Sequence, residues 1–158
     1  MFGDADFAWL DGLRRAHFPP ERNQVPAHLT LFHHLPPGLG GELRQRLRAE
    51  TMALPAPAAR ITGLRDLGGG VALAVRSEGL AMIRERLAGR FAGMLMPQDA
   101  AGWRPHVTIQ NKAGRAAAVA LRADLDGSLR LPRPLTIAGL AAWRYVGGPW
   151  ERIAGYRF

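Results

Sequence analysis

The sequence predicts an α+β fold: one domain of two lobes made by duplication, with two antiparallel sheets related by a pseudo-twofold axis, helices on the outer faces and a central cleft. Three observations carry this expectation. Helical and strand periodicities follow one another as helix, strand, helix, hairpin, and the same order then repeats. Short matches recur in register: His28-Leu29-Thr30 with His106-Val107-Thr108 at an offset of 78, Ile61-Thr62-Gly63-Leu64 with Ile137-Ala138-Gly139-Leu140 at 76, and Gly69-Gly70 with Gly147-Gly148 at 78. The 158 residues thus divide into repeats of about 6–76 and 78–158. Neither repeat is long enough to bury a substantial core alone, so both are expected to share one domain over residues 1–158.

Each element follows from its local pattern. Asp6 to His17 places Phe7, Leu10 and Leu13 in helical phase, with Arg14 to His17 roughly continuing it, and stops at Phe18-Pro19-Pro20. Ala27 to Phe32 alternates and carries branched or aromatic residues, which predicts a strand ending before Pro36-Pro37-Gly38. Gly41 to Ala53 sets Leu43 and Leu47 at i,i+4 with arginines opposite, a helix closed by Pro55. Arg60 to Leu67 and Val71 to Arg76, joined across Gly68-Gly69-Gly70, form a hairpin. In the second repeat, Glu78 to Leu95 is helical through Leu80, Ile83, Leu87 and Phe91, and His106 to Asn111 is a strand behind Pro105. Gly114 to Asp126 is an Ala-rich helix, and Leu135 to Tyr145 with Trp150 to Phe158 form the last hairpin.

Composition removes several classes. With no cysteine, there are no disulfides, thiolate metal sites or cysteine nucleophiles. No apolar run approaches the roughly 20 residues of a membrane span, and Met1 to Leu10 carries two aspartates where a signal peptide needs basic then apolar residues. A cytoplasmic monomer without a membrane segment is expected. Lys and Arg total 21 against 13 acidic residues, a net charge of +8, and Lys112 is the only lysine. The arginine bias with abundant Ala and Gly matches a GC-rich coding sequence, so it reads as background attraction for phosphate-bearing partners.

The two His-x-Thr elements supply the chemistry. Side chains at i and i+2 of a strand share a face, so His28 pairs with Thr30 and His106 with Thr108. Duplication would bring both pairs to one pocket. Imidazole titrates near neutrality, so one ring can act as base and its partner as acid without a metal or other cofactor. Threonine hydroxyls can donate to the non-bridging oxygens of a phosphate between the rings. In-line phosphoryl transfer needs a base beside the entering oxygen and an acid beside the leaving one, and a twofold site has that symmetry. Strand parity adds Phe32 and His34 on one side and Gln110 and Lys112 on the other. Lys112 reads either as a cation at the cleft mouth or as a solvated strand end, and Phe32 as a stacking surface or a core residue. Arg104 is positioned for a second phosphate. His33 has the wrong parity and is expected to pack or cap, while His17 ends a helix, where its polar tip is favourable. Tryptophans 103, 143 and 150 with Tyr145 read first as core or lobe interface, with substrate stacking as the second option. His33-His34 lacks the spaced partners of a metal site.

The segments HLTLF at 28–32 and HVTIQ at 106–110 resemble the paired motifs of the two-histidine phosphoesterase superfamily. Within it the chain is similar to the bacterial 2',5' RNA ligase-like branch, through PAHLTLFHHLPPG, RPHVTIQNK and a Trp-Arg-Tyr then Gly-Gly-Pro-Trp C-terminal part. The likeness extends over nearly the whole chain. It implies a bilobal fold and metal-independent phosphodiesterase action on 2',3'-cyclic phosphates or 2',5'-linkages of RNA or nucleotides, by hydrolysis or reverse ligation. Onto this sequence it carries His28, Thr30, His106 and Thr108. Members usually have a strand before the first helix, whereas only Met1 to Asp4 precedes it here, so a sheet edge is expected to be exposed or covered otherwise. The alternative from another class is a noncatalytic RNA or nucleotide binding module that uses the same cleft.

Overall fold

A computed structural model describes residues 1–158. Helix α1 (Asp4–His17) carries Asp4 and Asp6 in its first turn and Arg14, Arg15 and His17 in its last, the charge order that complements the helix dipole. Helix α2 (Gly40–Ala53) follows the Pro36-Pro37 break, and strands β1 (Ala58–Asp66) and β2 (Val71–Arg76) form the first hairpin. Helix α3 (Glu78–Arg90) is capped by Ser77, whose hydroxyl accepts from Leu80 N. A single turn, α4 (Pro97–Ala100), leads to β3 (His106–Gln110) and helix α5 (Arg115–Ser128). Strands β4 (Arg133–Thr136), β5 (Gly139–Tyr145) and β6 (Trp150–Arg157) complete the chain.

The strands form a four-stranded antiparallel sheet in the order β3-β2-β1-β4 and a separate β5-β6 hairpin. Two matched sheets, one per repeat, were the expectation; the sheets are unequal, and the larger one mixes both repeats. The first repeat supplies β1 and β2, the second β3 and β4. Helices cross over as well: α1 packs on β3, α2 on β5 and β6, and α3 and α5 on the β1-β2 hairpin. The two halves of the chain are therefore interleaved, and no pseudo-twofold pair of lobes separates them. One continuous core of 21 buried residues runs from Phe2 to Ala142. Accessible surface is 9045 Å², above the roughly 7,800 Å² expected for this mass, consistent with an open cleft.

Several predicted boundaries shift for local reasons. The helix predicted to Leu95 stops at Arg90, because the turn that follows contains Gly93 at φ 80. The strand predicted over Leu135 to Tyr145 is two strands broken at Ile137-Ala138. There Phe2 bridges Ile137, and Ala138 N donates to Met1 O, so Met1 to Gly3 covers this edge.

The largest departure is the strand predicted over Ala27 to Phe32. Its only ladder contact is an isolated antiparallel bridge, Leu29 to Val107. Side chains from elsewhere take up the backbone groups that a ladder would have used. Asp11 accepts from Ala27 N at 2.9 Å, Trp103 Nε1 donates to Thr30 O at 2.9 Å, and Arg84 Nε donates to Leu31 O at 3.0 Å. Asp99 accepts from both His33 N and His34 N. Polar main chain must be paired somewhere, and here long-range side chains outcompete a sheet.

Candidate active site

Bridge Leu29–Val107 sets the register of the two motifs. In antiparallel pairing it puts His28 across from Thr108 and Thr30 across from His106, so all four side chains lie on one face while Leu29 and Val107 point to the other. Val107 and Ile109 are fully buried and Leu29 packs on the core, whereas His28, Thr30, His106 and Thr108 are partly exposed. The histidines occupy diagonal positions of this small ladder.

Both imidazoles are held alike. His28 Nδ1 donates to Pro26 O at 2.7 Å, and His106 Nδ1 donates to Arg104 O at 2.8 Å, each the carbonyl two residues back. The proton is thereby placed on Nδ1, and Nε2 is left as the working nitrogen. Arg65 Nη1 donates to the same Arg104 carbonyl at 3.1 Å and lies 3.1 Å from His106 Nδ1.

Electrostatics press both rings toward neutrality. Burial holds the His28 pKa below the ordinary histidine value against the raising effect of its bond to Pro26, and the charges of Arg14 and His106 add to the lowering. His106 is lowered too, by burial first and then by Arg65 and His33, against the raising effect of its bond to Arg104. No carboxylate acts on either ring.

Two buried arginines and two buried aspartates fix the motif backbones. Arg14 on α1 donates through Nη1 to Thr108 O at 2.8 Å and through Nε to Asn23 Oδ1 and Val25 O. Asp11, three residues before it on the same face of α1, holds Ala27 N. Helix α1 thus grips both motifs at once. Arg84 on α3 grips Leu31 O and Asp99 O and lies 5.1 Å from the Phe32 ring centroid and 5.7 Å from that of Trp103. Asp99 is 2% exposed. Burial by itself would raise its carboxyl pKa, but the His33 and His34 amides and the His33 ring, 2.8 Å away, hold it below the usual carboxylate value.

Sequence reasoning missed these four residues. The signal was present: Arg14 stands four residues after Leu10, and Arg84 four after Leu80, each on the apolar stripe of its helix where a charge is costly unless fully bonded. His33, expected to pack or cap, is instead exposed and paired with Asp99.

The remaining candidates fall in different places. Phe32 is half-buried: it packs against the core beneath Arg84 and also lines the cleft that runs along the first motif. Arg104 is exposed and contributes its carbonyl. Gln110 is 5% exposed with its Oε1 unpartnered, because a register shift between Val71 and Ala72 bulges β3 and breaks the parity that would have put it beside Thr108. Lys112 is exposed in a left-handed turn at φ 57, beyond the strand.

A cleft of about 1090 Å³ runs along the first motif between α2 and the β5-β6 hairpin. Its wall includes His28, Thr30, His33 and His34, but neither His106 nor Thr108, which flank it across the bridge. Nowhere in the chain do three His, Asp or Glu side chains gather as a metal ion would require, and no helix is long and apolar enough to cross a membrane. The sequence profile of the 2'-5' RNA ligase superfamily matches residues 2–149, a span that contains both motifs. No curated protein matches the chain.

Proposed function

Because the chain belongs to the 2'-5' RNA ligase superfamily, we propose that it is a metal-independent phosphoesterase that hydrolyses 2',3'-cyclic phosphates of RNA or nucleotides, and that the same site acts on 2',5'-phosphodiester linkages by hydrolysis or reverse ligation. The carrying observation is the matched posture of His28 and His106, each with Nδ1 tied to its own main chain and Nε2 free, on one face with Thr30 and Thr108.

In the proposed reaction a water lies on the His106 side of phosphorus. His106 Nε2 takes its proton as the oxygen bonds to phosphorus. The bond from phosphorus to a ribose oxygen breaks, and His28 Nε2 gives that oxygen its proton, leaving a phosphomonoester beside a free hydroxyl. Thr30 and Thr108 donate to the non-bridging oxygens. With a ribose hydroxyl in place of water the same exchange makes a phosphodiester, and in the reverse direction the two histidines swap roles. His28 must be charged at the start, although burial and its cationic surroundings favour the neutral ring. The anionic phosphate supplies the missing negative charge, so substrate and proton enter together.

His28→Ala and His106→Ala are each expected to slow hydrolysis of 2',3'-cyclic nucleotides by about 10²–10⁴-fold. Full activity in either variant would sink the mechanism. EDTA should leave the rate unchanged, and the rate should be bell-shaped in pH. Equilibrium binding of cyclic nucleotides and 2',5'-linked oligonucleotides without turnover would favour the noncatalytic module.

A further inference from the structure

The β5-β6 turn exposes what a folded chain ordinarily hides. Tyr145 and Trp150 sit directly opposite one another where the hairpin ends, their ring centroids 5.3 Å apart and their planes at 43°. Tyr145 is 60% exposed and Trp150 37%, with Val146 between them at 57%. The first hairpin has a turn of the same length, with Leu67 and three glycines, and carries no aromatic residue there. A turn therefore needs no such rings to form.

Their surroundings give them a direction. Tyr145 and Trp150 line the same cleft as His28 and Thr30. At about 1090 Å³ that cleft lies at the upper end of the roughly 300–1,000 Å³ of ordinary small-molecule sites, and it continues from the first motif to the hairpin turn. Five arginines line it, Arg14, Arg22, Arg144, Arg152 and Arg157, against one carboxylate, Asp4. Arg144 is paired with Glu151 at 2.6 Å, and Arg152 and Arg157 have no acidic partner within 4.0 Å. Arg152 stands two residues from Trp150 on β6, and Arg157 at the far end of the same ladder, opposite Gly139. Aromatic rings at one end of a groove with unpaired cations along it are the recognition chemistry of single-stranded nucleic acid, where bases stack and phosphates follow the charge.

We propose that the Tyr145–Trp150 pair is a stacking platform for the unpaired bases next to the reacting phosphate, so that the preferred substrate is a single-stranded oligonucleotide end and neither a mononucleotide nor a duplex end. The proposal rests on the phosphoesterase reading of the His28–His106 site that borders this cleft. Stacking tolerates any base, so preference at this subsite follows strandedness and length.

The test compares three substrates bearing the same 2',3'-cyclic phosphate: a mononucleotide, a single-stranded tetranucleotide and a blunt hairpin. The wild-type protein is expected to favour the tetranucleotide over the other two by at least about tenfold in kcat/KM. Tyr145→Ala with Trp150→Ala should raise KM for the tetranucleotide by about 5–150-fold, the range of one stacked base. Mononucleotide turnover should persist in that variant, which also shows that it folds. Equal rates on all three substrates, or an equal loss on mononucleotide and tetranucleotide, would overturn the platform. If none of the three turns over, the reaction assignment fails, and anisotropy of a labelled single-stranded tetranucleotide decides the platform alone. Binding that the double substitution weakens supports it; binding that it leaves unaltered, or no binding by the wild type, refutes it.

Discussion

Residues 27–34 and 104–110 carry the same His-x-Thr pair, with the imidazoles in the same posture, and the protein supports them in opposite ways. His106 and Thr108 stand on a laddered strand, one neighbour of β2 in a four-stranded sheet and bulged only beyond Thr108, with Val107 and Ile109 fully buried beneath them. His28 and Thr30 stand on a segment with one bridge, secured by Asp11, Arg84, Asp99 and Trp103. A matched pair of imidazoles does not require a matched pair of scaffolds. It requires only that each main chain be fixed, and a set of buried side chains fixes one as a ladder fixes the other.

Substitutions can separate the two modes of support. The largest effect is expected beneath the second motif: Ile109→Ala opens a cavity in the core and should cost about 2–5 kcal/mol of global stability, read by urea unfolding. Should that variant lose activity while its unfolding midpoint holds, the second motif would not depend on the core as argued. Asp99→Asn touches the first motif. It removes the charge that three donors converge on, for about 1–3 kcal/mol, and its rate on a cyclic phosphate should fall further than its stability does, since the loss is local to residues 33–34. A variant with unaltered rate and lowered stability would make Asp99 a global support only.

The smallest effect is one on which both motifs should agree. His28 and His106 have folded pKa values below their unfolded ones, so the unfolded chain takes up protons that the folded chain refuses as pH drops. Stability should be fully present above the ordinary histidine pKa and decline as pH falls through it, with Asp99 adding a further loss at lower pH, where its own lowered carboxyl protonates. In the double variant His28→Ala/His106→Ala the first of these declines should vanish. Its survival there would place its origin elsewhere.

The same contrast explains what the sequence could disclose. Both hairpins and the four long helices, α1, α2, α3 and α5, were legible, because propensity, turn glycines and periodicity act over a few residues. The second motif strand was legible for the same reason. The first was misread as a strand because its alternation is genuine, while the partners that replace a ladder come from residues 84, 99 and 103. Burial of Gln110 depended on a bulge that no local pattern announces. Interleaving of the repeats was equally hidden, since a recurring order of elements says nothing about which copy each one packs against.

The bonds that secure the first motif also have a consequence for the order of assembly. They span 53, 66 and 73 residues, linking Leu31 to Arg84, His33 to Asp99 and Thr30 to Trp103. Long closures of this kind form late and are slow relative to local ones. A chain emerging from synthesis would carry His28 early and yet be unable to hold it until the segment through Trp103 had docked. The two imidazoles are then brought together only near completion of the fold, so an unfinished chain lacks the paired site.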